Sequence, residues 1–209
     1  MEHGEISLVE TAISKVSLVV RLTDNYTSES PIGKMELSLQ DHMGYERKPI
    51  RIAGGYYIFC NLSQDSYTIL VKGDKYYFDK KESVSPSDLE NQTPFIKNIS
   101  LDPAPSYAFS PHATLIRGAL LDSQGKGISE AVLEIKGKNE NFQITEKGEF
   151  AIYFEGLKEN EVEKVERKNL VKINGKNPIL EVKHPDFGKK TKSVEVEEGK
   201  TVSVTITFS

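Results

Sequence analysis

Thr114 to Ile152, TLIRGALLDSQGKGISEAVLEIKGKNENFQITEKGEFAI, decides the fold, because it reads as three consecutive strands of one small sandwich. Ile116, Gly118 and Leu120 alternate until Asp122-Ser-Gln-Gly-Lys-Gly interrupts them, a turn cluster between two period-2 runs. The second run puts Ala131, Leu133 and Ile135 on one face, and Phe150, Ile152 and Phe154 follow the Glu146-Lys-Gly-Glu turn. Strict alternation marks strands with one buried face, and no segment here carries the 3.6-residue period of a helix.

The pattern extends along the chain. Val16, Leu18, Val20 and Leu22 alternate, then Met35, Leu37 and Leu39, then Tyr67, Ile69 and Val71, with Phe95, Ile99 and Leu101 closing a first unit. Ile50 to Phe59 holds a Gly54-Gly55 pair between two runs and predicts a hairpin. Leu157 to Pro178 is charge-dense and predicts either a solvated turn or two of helix or the outer part of a long hairpin. Asn174-Gly175, between Leu170 to Ile173 and Ile179 to Val182, predicts a hairpin there. Val194 and Val196, a Glu-Glu-Gly-Lys turn, and Val202 to Phe208 predict a closing hairpin. Lys189-Lys-Thr-Lys has the composition of a protected edge strand.

The order I-x-G-x-L-x-D, a glycine-containing loop, A-x-L-x-I, then T-E-K-G-E-F resembles the carboxypeptidase regulatory-like, or prealbumin-like, domain family. Gly55-x-Tyr57-x-Phe59-x-x-Leu62 with Tyr67-x-Ile69-x-Val71 resembles the second half of the same pattern, although Asp65 stands where that family usually has a turn glycine. The resemblance implies sandwiches of about seven strands that are mostly non-catalytic. With 209 residues, about twice one such sandwich, the expected architecture is all-β: two tandem antiparallel β-sandwiches, prealbumin or immunoglobulin-like, joined by a proline-rich linker. The expected divisions are an N-terminal extension over 1–14, sandwiches over 15–102 and 113–209, and the linker over 103–112. Asp102 to Pro111 carries three prolines, which excludes a central strand and predicts a stiff, extended joint.

Composition narrows the function. The net charge is −4, all of it in residues 1–102, so neither half has the positive field that nucleic acid demands. No apolar run approaches the ~20 residues of a membrane helix. The start, Met1 to Glu10, is acidic and lacks the apolar core of a secretory signal. The sequence therefore predicts cytoplasmic synthesis, as for a subunit of a released particle, or an extracellular protein if a signal has been removed. The single cysteine, Cys60, makes no internal disulfide and is expected as a small, half-buried side chain. His3, His42, His112 and His184 are scattered and never reach a metal-ligand spacing, and Asp122-Ser-Gln-Gly is too poor in carboxylates for calcium. No phosphate loop or nucleophile elbow is present. Lys15 and Asn98, the residue types of an intramolecular isopeptide bond, are out of phase with the core residues beside them and are expected to face water. No catalytic residue, metal or cofactor is expected.

Binding to other protein subunits, or to further copies of the chain, is the leading expectation, with no nucleic acid and no membrane insertion. Candidate interaction residues are the joint aromatics Tyr107 and Phe109, which either wedge the two units together or dock a partner, and Tyr56, Tyr76 and Tyr77. The stretch Leu101 to Gly118 also resembles the linker of regulatory-like proteins encoded with phage-tail-like contractile injection systems, which implies a tail or cap subunit. The alternative is a surface or secreted accessory module gripping carbohydrate or protein. The chain has no tryptophan, so tyrosine and phenylalanine would supply any sugar-stacking surface.

Overall fold

The computed structural model describes residues 14–52, 55–91 and 94–208. Residues 1–13 of the expected 1–14 extension and the Ala53-Gly54 part of the first hairpin turn lie outside the described residues. The chain is all-β, two sandwiches in tandem. The first contains β1 (Val16–Asp24), β2 (Glu36–Asp41), β3 (Glu46–Arg47), β4 (Ile50–Ile52), β5 (Tyr56–Cys60), β6 (Tyr67–Lys72), β7 (Lys80–Val84) and β8 (Phe95–Leu101). Its sheets have the orders β4-β5-β1-β8 and β3-β2-β6-β7. The second contains β9 (Thr114–Leu121), β10 (Val132–Ile135), β11 (Asn141–Phe142), β12 (Glu149–Phe154), β13 (Val162–Val165), β14 (Lys168–Val171), β15 (Ile179–His184), β16 (Gly188–Ser193) and β17 (Thr201–Thr207). Its sheets run β12-β9-β17 and β11-β10-β15-β16, with β13 and β14 as a separate hairpin.

The alternating residues are the core. Leu18, Val20, Leu22, Leu37, Leu39, Tyr57, Phe59, Ile69 and Ile99 fill the first sandwich, and Ile116, Leu120, Leu133, Ile135, Phe150, Ile152, Leu180 and Val182 fill the second. The hairpin read at residues 50–59 forms as β4 and β5, Ile50 facing Ile58 and Ile52 facing Tyr56. Cys60 is free and half-buried, and Lys15 and Asn98 are both exposed.

One pairing in each sandwich is parallel: β1 with β8, and β9 with β17. The remaining pairs between these strands and their neighbours are antiparallel. A first strand parallel to the last carries the chain in at one end of the sandwich and out at the other. Asp24, the last residue of β1, consequently lies opposite Leu101, the last residue of β8, where the joint begins.

Three local readings change. Asn174 and Gly175 do adopt the left-handed pair of a tight turn, φ 51° and 73°, but the turn closes only the Ile173–Lys176 bridge. β14 pairs back onto β13, and both edges of β15 are taken by β10 and β16. The 157–178 region is therefore mainly a hairpin, with a single 3-10 turn at Glu159–Glu161. Val194 and Val196 are core residues, but β17 does not pair with them; after the turn at Gly199 the chain crosses to the other sheet and joins β9. A six-residue helix, α1 (Pro86–Asn91), also appears where no helix was expected. Ser85 accepts the Asp88 amide, the Asp88 carboxylate accepts the Ser85 amide, and Pro86 occupies the first helical position, a reciprocal cap strong enough to set one turn.

The lysine-rich strand β16 is an edge, as its composition implied. Its lysines do more than repel other strands. Lys190 and Lys192 donate to the carbonyls of Thr207 and Thr205 on β17, the neighbouring edge of the opposite sheet, so they close that side of the sandwich.

Gly118 shows why a glycine interrupts β9. A Cβ there would lie 2.3 Å from the Val204 carbonyl oxygen and 2.4 Å from the Phe150 ring. Gly118→Ala is expected to destabilise the protein by about 3 kcal/mol through forced repacking, measurable by urea denaturation.

Candidate functional site

The joint between the sandwiches concentrates the polar and aromatic chemistry of the molecule. Asp24 continues the inward phase of Leu18, Val20 and Leu22 and is 1% exposed. A carboxylate in that position needs compensation, since burying it without hydrogen bonds is costly. Its Oδ1 accepts the backbone amides of Tyr26 and Thr27 at 2.7 and 3.3 Å. Its Oδ2 accepts the hydroxyls of Tyr77 at 2.7 Å and Tyr107 at 2.5 Å. The Tyr77 oxygen in turn accepts the Ile32 amide at 3.0 Å. One carboxylate thus ties the end of β1, the loop before β7 and the proline segment together.

Aromatic rings cover this hub. Tyr26 meets Tyr107, Phe109 and Tyr153 edge-on at centroid distances of 5.8, 5.0 and 5.3 Å, arrangements that favour ring quadrupoles. Tyr153 belongs to β12, so the cluster spans both sandwiches. Arg117 of β9 donates to the carbonyls of Pro105 and Tyr107 at 2.8 and 3.1 Å and lies 5.4 Å from the Phe109 ring. Gln143 donates to Asp102 at 3.2 Å, and the same carboxylate accepts from Asn25 and Lys80.

The five aromatics singled out by sequence therefore separate. Tyr77 and Tyr107 are 2% and 4% exposed, with their hydroxyls on Asp24, and offer nothing to an outside partner. Phe109 is half-buried and wedges the joint, packing 4.7 Å from Tyr107. Tyr76 lies over Gly33, with Lys75 5.2 Å from its ring. Tyr56 is on the outer face of β5, partly covered by Arg21 at 5.7 Å. Sequence reading missed Asp24, Tyr26, Arg117 and Tyr153. Asp24 did carry a signal: a carboxylate in phase with three core residues demands donors.

Beside the hub a groove of about 330 Å³ runs between the sandwiches, lined by Asn25, Phe78 and Asp102 on one side and Glu140, Phe142 and Tyr153 on the other, among others. Burial, then Asp102, Glu155, Asp24 and Glu140, push the Tyr153 phenol up to about 12. Burial and Asp24 also raise the Glu155 carboxyl.

A second surface feature lies on the outer face of the β4-β5-β1-β8 sheet. The registers align Ile50, Ile58, Val19 and Ile96 in one row across all four strands. Ile50 and Ile96 are 65% and 48% exposed.

Among the described residues no group of three or more His, Cys, Asp and Glu side chains could hold a metal ion, and no helix is long and apolar enough to cross a membrane. Asp122 accepts the amides of Gln124 and Lys126 within its own turn, and His42 contacts Asp65 at 2.5 Å.

The fold defines a tandem of β-sandwiches whose sheets are mostly antiparallel. No family model and no curated protein sequence matches the chain. Among solved structures it is similar to the Bacillus anthracis TIE protein, at 11% identity and a TM-score of 0.32, over 92% of this chain and 34% of that one. It spans, in other words, about a third of that protein's length. A streptococcal ancillary pilin aligns over 94% of this chain and 69% of its own at 8% identity, TM-score 0.30. BcpA, the major pilin subunit of Bacillus cereus, aligns over 94% and 99% at 10% identity, TM-score 0.30. Likenesses at this level do not extend to function.

Tyr77→Phe and Tyr107→Phe each remove one hydrogen bond to a buried carboxylate and are expected to cost about 1.5–3 kcal/mol in urea denaturation. Burial and the Asp24 contact raise both phenols well above the ordinary value of 10.0. The folded state therefore holds these protons more tightly than the unfolded chain, and stability present below pH 10 is lost as pH rises beyond it. Denaturation midpoints measured upward from pH 9 should fall in the native protein, and fall less steeply in the double Phe variant.

Proposed function

We propose that the chain is a non-catalytic structural subunit that associates through the outer face of its first sandwich, with divisions at 15–102, 103–112 and 113–209. The observation that carries this reading is the row Ile50, Ile58, Val19 and Ile96. Single exposed apolar residues are ordinary, but an aligned set on a rigid sheet marks a contact surface. The row is self-complementary when two copies meet face to face, and a second copy is the partner we favour. Four strands at ~4.8 Å spacing make the row about 14 Å wide. A strip of that length and one side chain deep, roughly 5–10 Å, covers on the order of 100 Å², well short of the ~800 Å² per partner of a standard stable interface, so association through the row alone is weak and concentration-dependent.

The locked joint supports the structural part of the reading. Parallel first and last strands place the entry and exit of each sandwich at opposite ends, and the Asp24 hub, Arg117 and the aromatic cluster fix one angle between them. Such a body transmits position from one end to the other. The narrower assignment, to the tail or cap of a phage-tail-like contractile injection particle, has only the joint sequence in its favour. Pro103, Tyr107 and Phe109 serve the joint itself, which accounts for that sequence without a particle. The alternative of a surface module is favoured by the groove rather than by the row.

Sedimentation or light scattering across about 1–100 μM is expected to show a reversible rise in mass that Ile96→Lys abolishes without lowering the melting temperature. A mass that stays monomeric, or one that Ile96→Lys leaves unchanged, would remove the row as a self-contact.

A further inference from the structure

The groove between the sandwiches has a composition that neither the joint nor the outer row explains. Three aromatic side chains border it: Phe78 from the first sandwich, Phe142 from β11 and Tyr153 from β12. Tyr153 packs edge-on with Tyr26 at 5.3 Å and against the tilted ring of Phe109 at 5.8 Å. Asp102 is fixed by three donors, one of them Gln143 across the groove. A floor and a ring immobilised in advance lose little entropy when a ligand arrives.

The remaining polar groups are free to meet one. Among the described residues the side chains of Glu140, Asn141 and Glu155 make no ion pair or hydrogen bond, and the Tyr153 hydroxyl has no acceptor. Glu140 and Glu155 accept, Tyr153 donates, and Asn141 does both. Lys138, on the rim, is occupied by Glu161 at 3.7 Å.

From this arrangement we infer that the groove is a binding site for a short neutral saccharide. Sugar hydroxyls both donate and accept, which matches a mixed set of donors and acceptors, and the C–H face of a pyranose packs on an aromatic ring. The volume, about 330 Å³, is at the lower end of the ~300–1,000 Å³ of small-molecule sites, so the ligand is short. Charge selects among sugars. Asp24, Asp102, Glu140 and Glu155 all act on Tyr153, and the same field repels sialylated or uronic acid ligands. The charged end of an organic cation, in turn, offers no acceptor to Tyr153 or Asn141, and Asp102 already has Lys80 as its cationic partner.

The inference is independent of self-association through the outer row, and calorimetry on the full chain tests it. The probes are neutral gluco- and galacto-oligosaccharides, sialyllactose as the anion, and choline and arginine as cations. At least one neutral oligosaccharide is expected to bind. Tyr153→Phe keeps the ring and its packing but removes the donor, and Phe142→Ala removes a stacking face; each should weaken binding about tenfold or more. Ile96→Lys should leave that affinity unchanged. Failure of every neutral probe at about 10 mM, tighter binding of sialyllactose or a cation than of any neutral sugar, or an affinity indifferent to both groove substitutions would each overturn the assignment.

Discussion

The buried carboxylate of Asp24 is the constraint on which the architecture of this chain depends. Two amides and two phenols converge on it, and they come from the turn after β1, the loop before β7 and the proline segment. None of these could move away without stranding a charge-bearing group out of water, a penalty larger than any single packing contact nearby. The joint is therefore fixed by a requirement for satisfaction, and the stiffness of its prolines is secondary. Pro103 and Ala104 are themselves buried against the first sandwich, so the segment is a packed element more than a tether.

Parallel pairing of first and last strands determines where that hub can sit. With β1 and β8 side by side and running the same way, the ends of both strands meet at the exit of the first sandwich. The carboxylate that terminates β1 is then beside the segment leaving β8. The second sandwich, beginning with β9 at the same place, brings Arg117, Gln143 and Tyr153 against the joint from the other side. The groove follows from this geometry: its two walls belong to different cores, and neither sandwich alone has both.

Much of the fold was legible because period-2 alternation is local. Leu18, Met35, Tyr67, Leu133 and Phe150 are inside for the reason the pattern gave. Pairing across the sandwich was not legible. The Asn174-Gly175 turn formed with the backbone its residue types favour, yet its flanking strands went to different partners, since β15 was already paired on both sides. The last strand, read as the return arm of a hairpin, crossed to the other sheet and lay parallel to β9. Adjacent segments pair by default only when no better edge is open. The candidate site shows the same limit. Tyr107 stood out as an aromatic in the proline joint and Tyr77 as one of a concentration of aromatics in the first unit, but whether a tyrosine faces water or a buried acceptor depends on what lies opposite.

By itself the sequence determined the all-β class, the inward face of nearly every strand, the tandem arrangement and the lack of a positive field, because these follow from alternation, composition and turn chemistry within short windows. Only the tertiary structure decided that Asp24 would be the hub, that Ile50, Ile58, Val19 and Ile96 would align on one outer face, and that Tyr153 and Phe142 would border a groove with Phe78. Those residues are far apart along the chain. What joins them is strand register and the parallel closure of each sandwich, both set by the competition of whole strands for sheet edges.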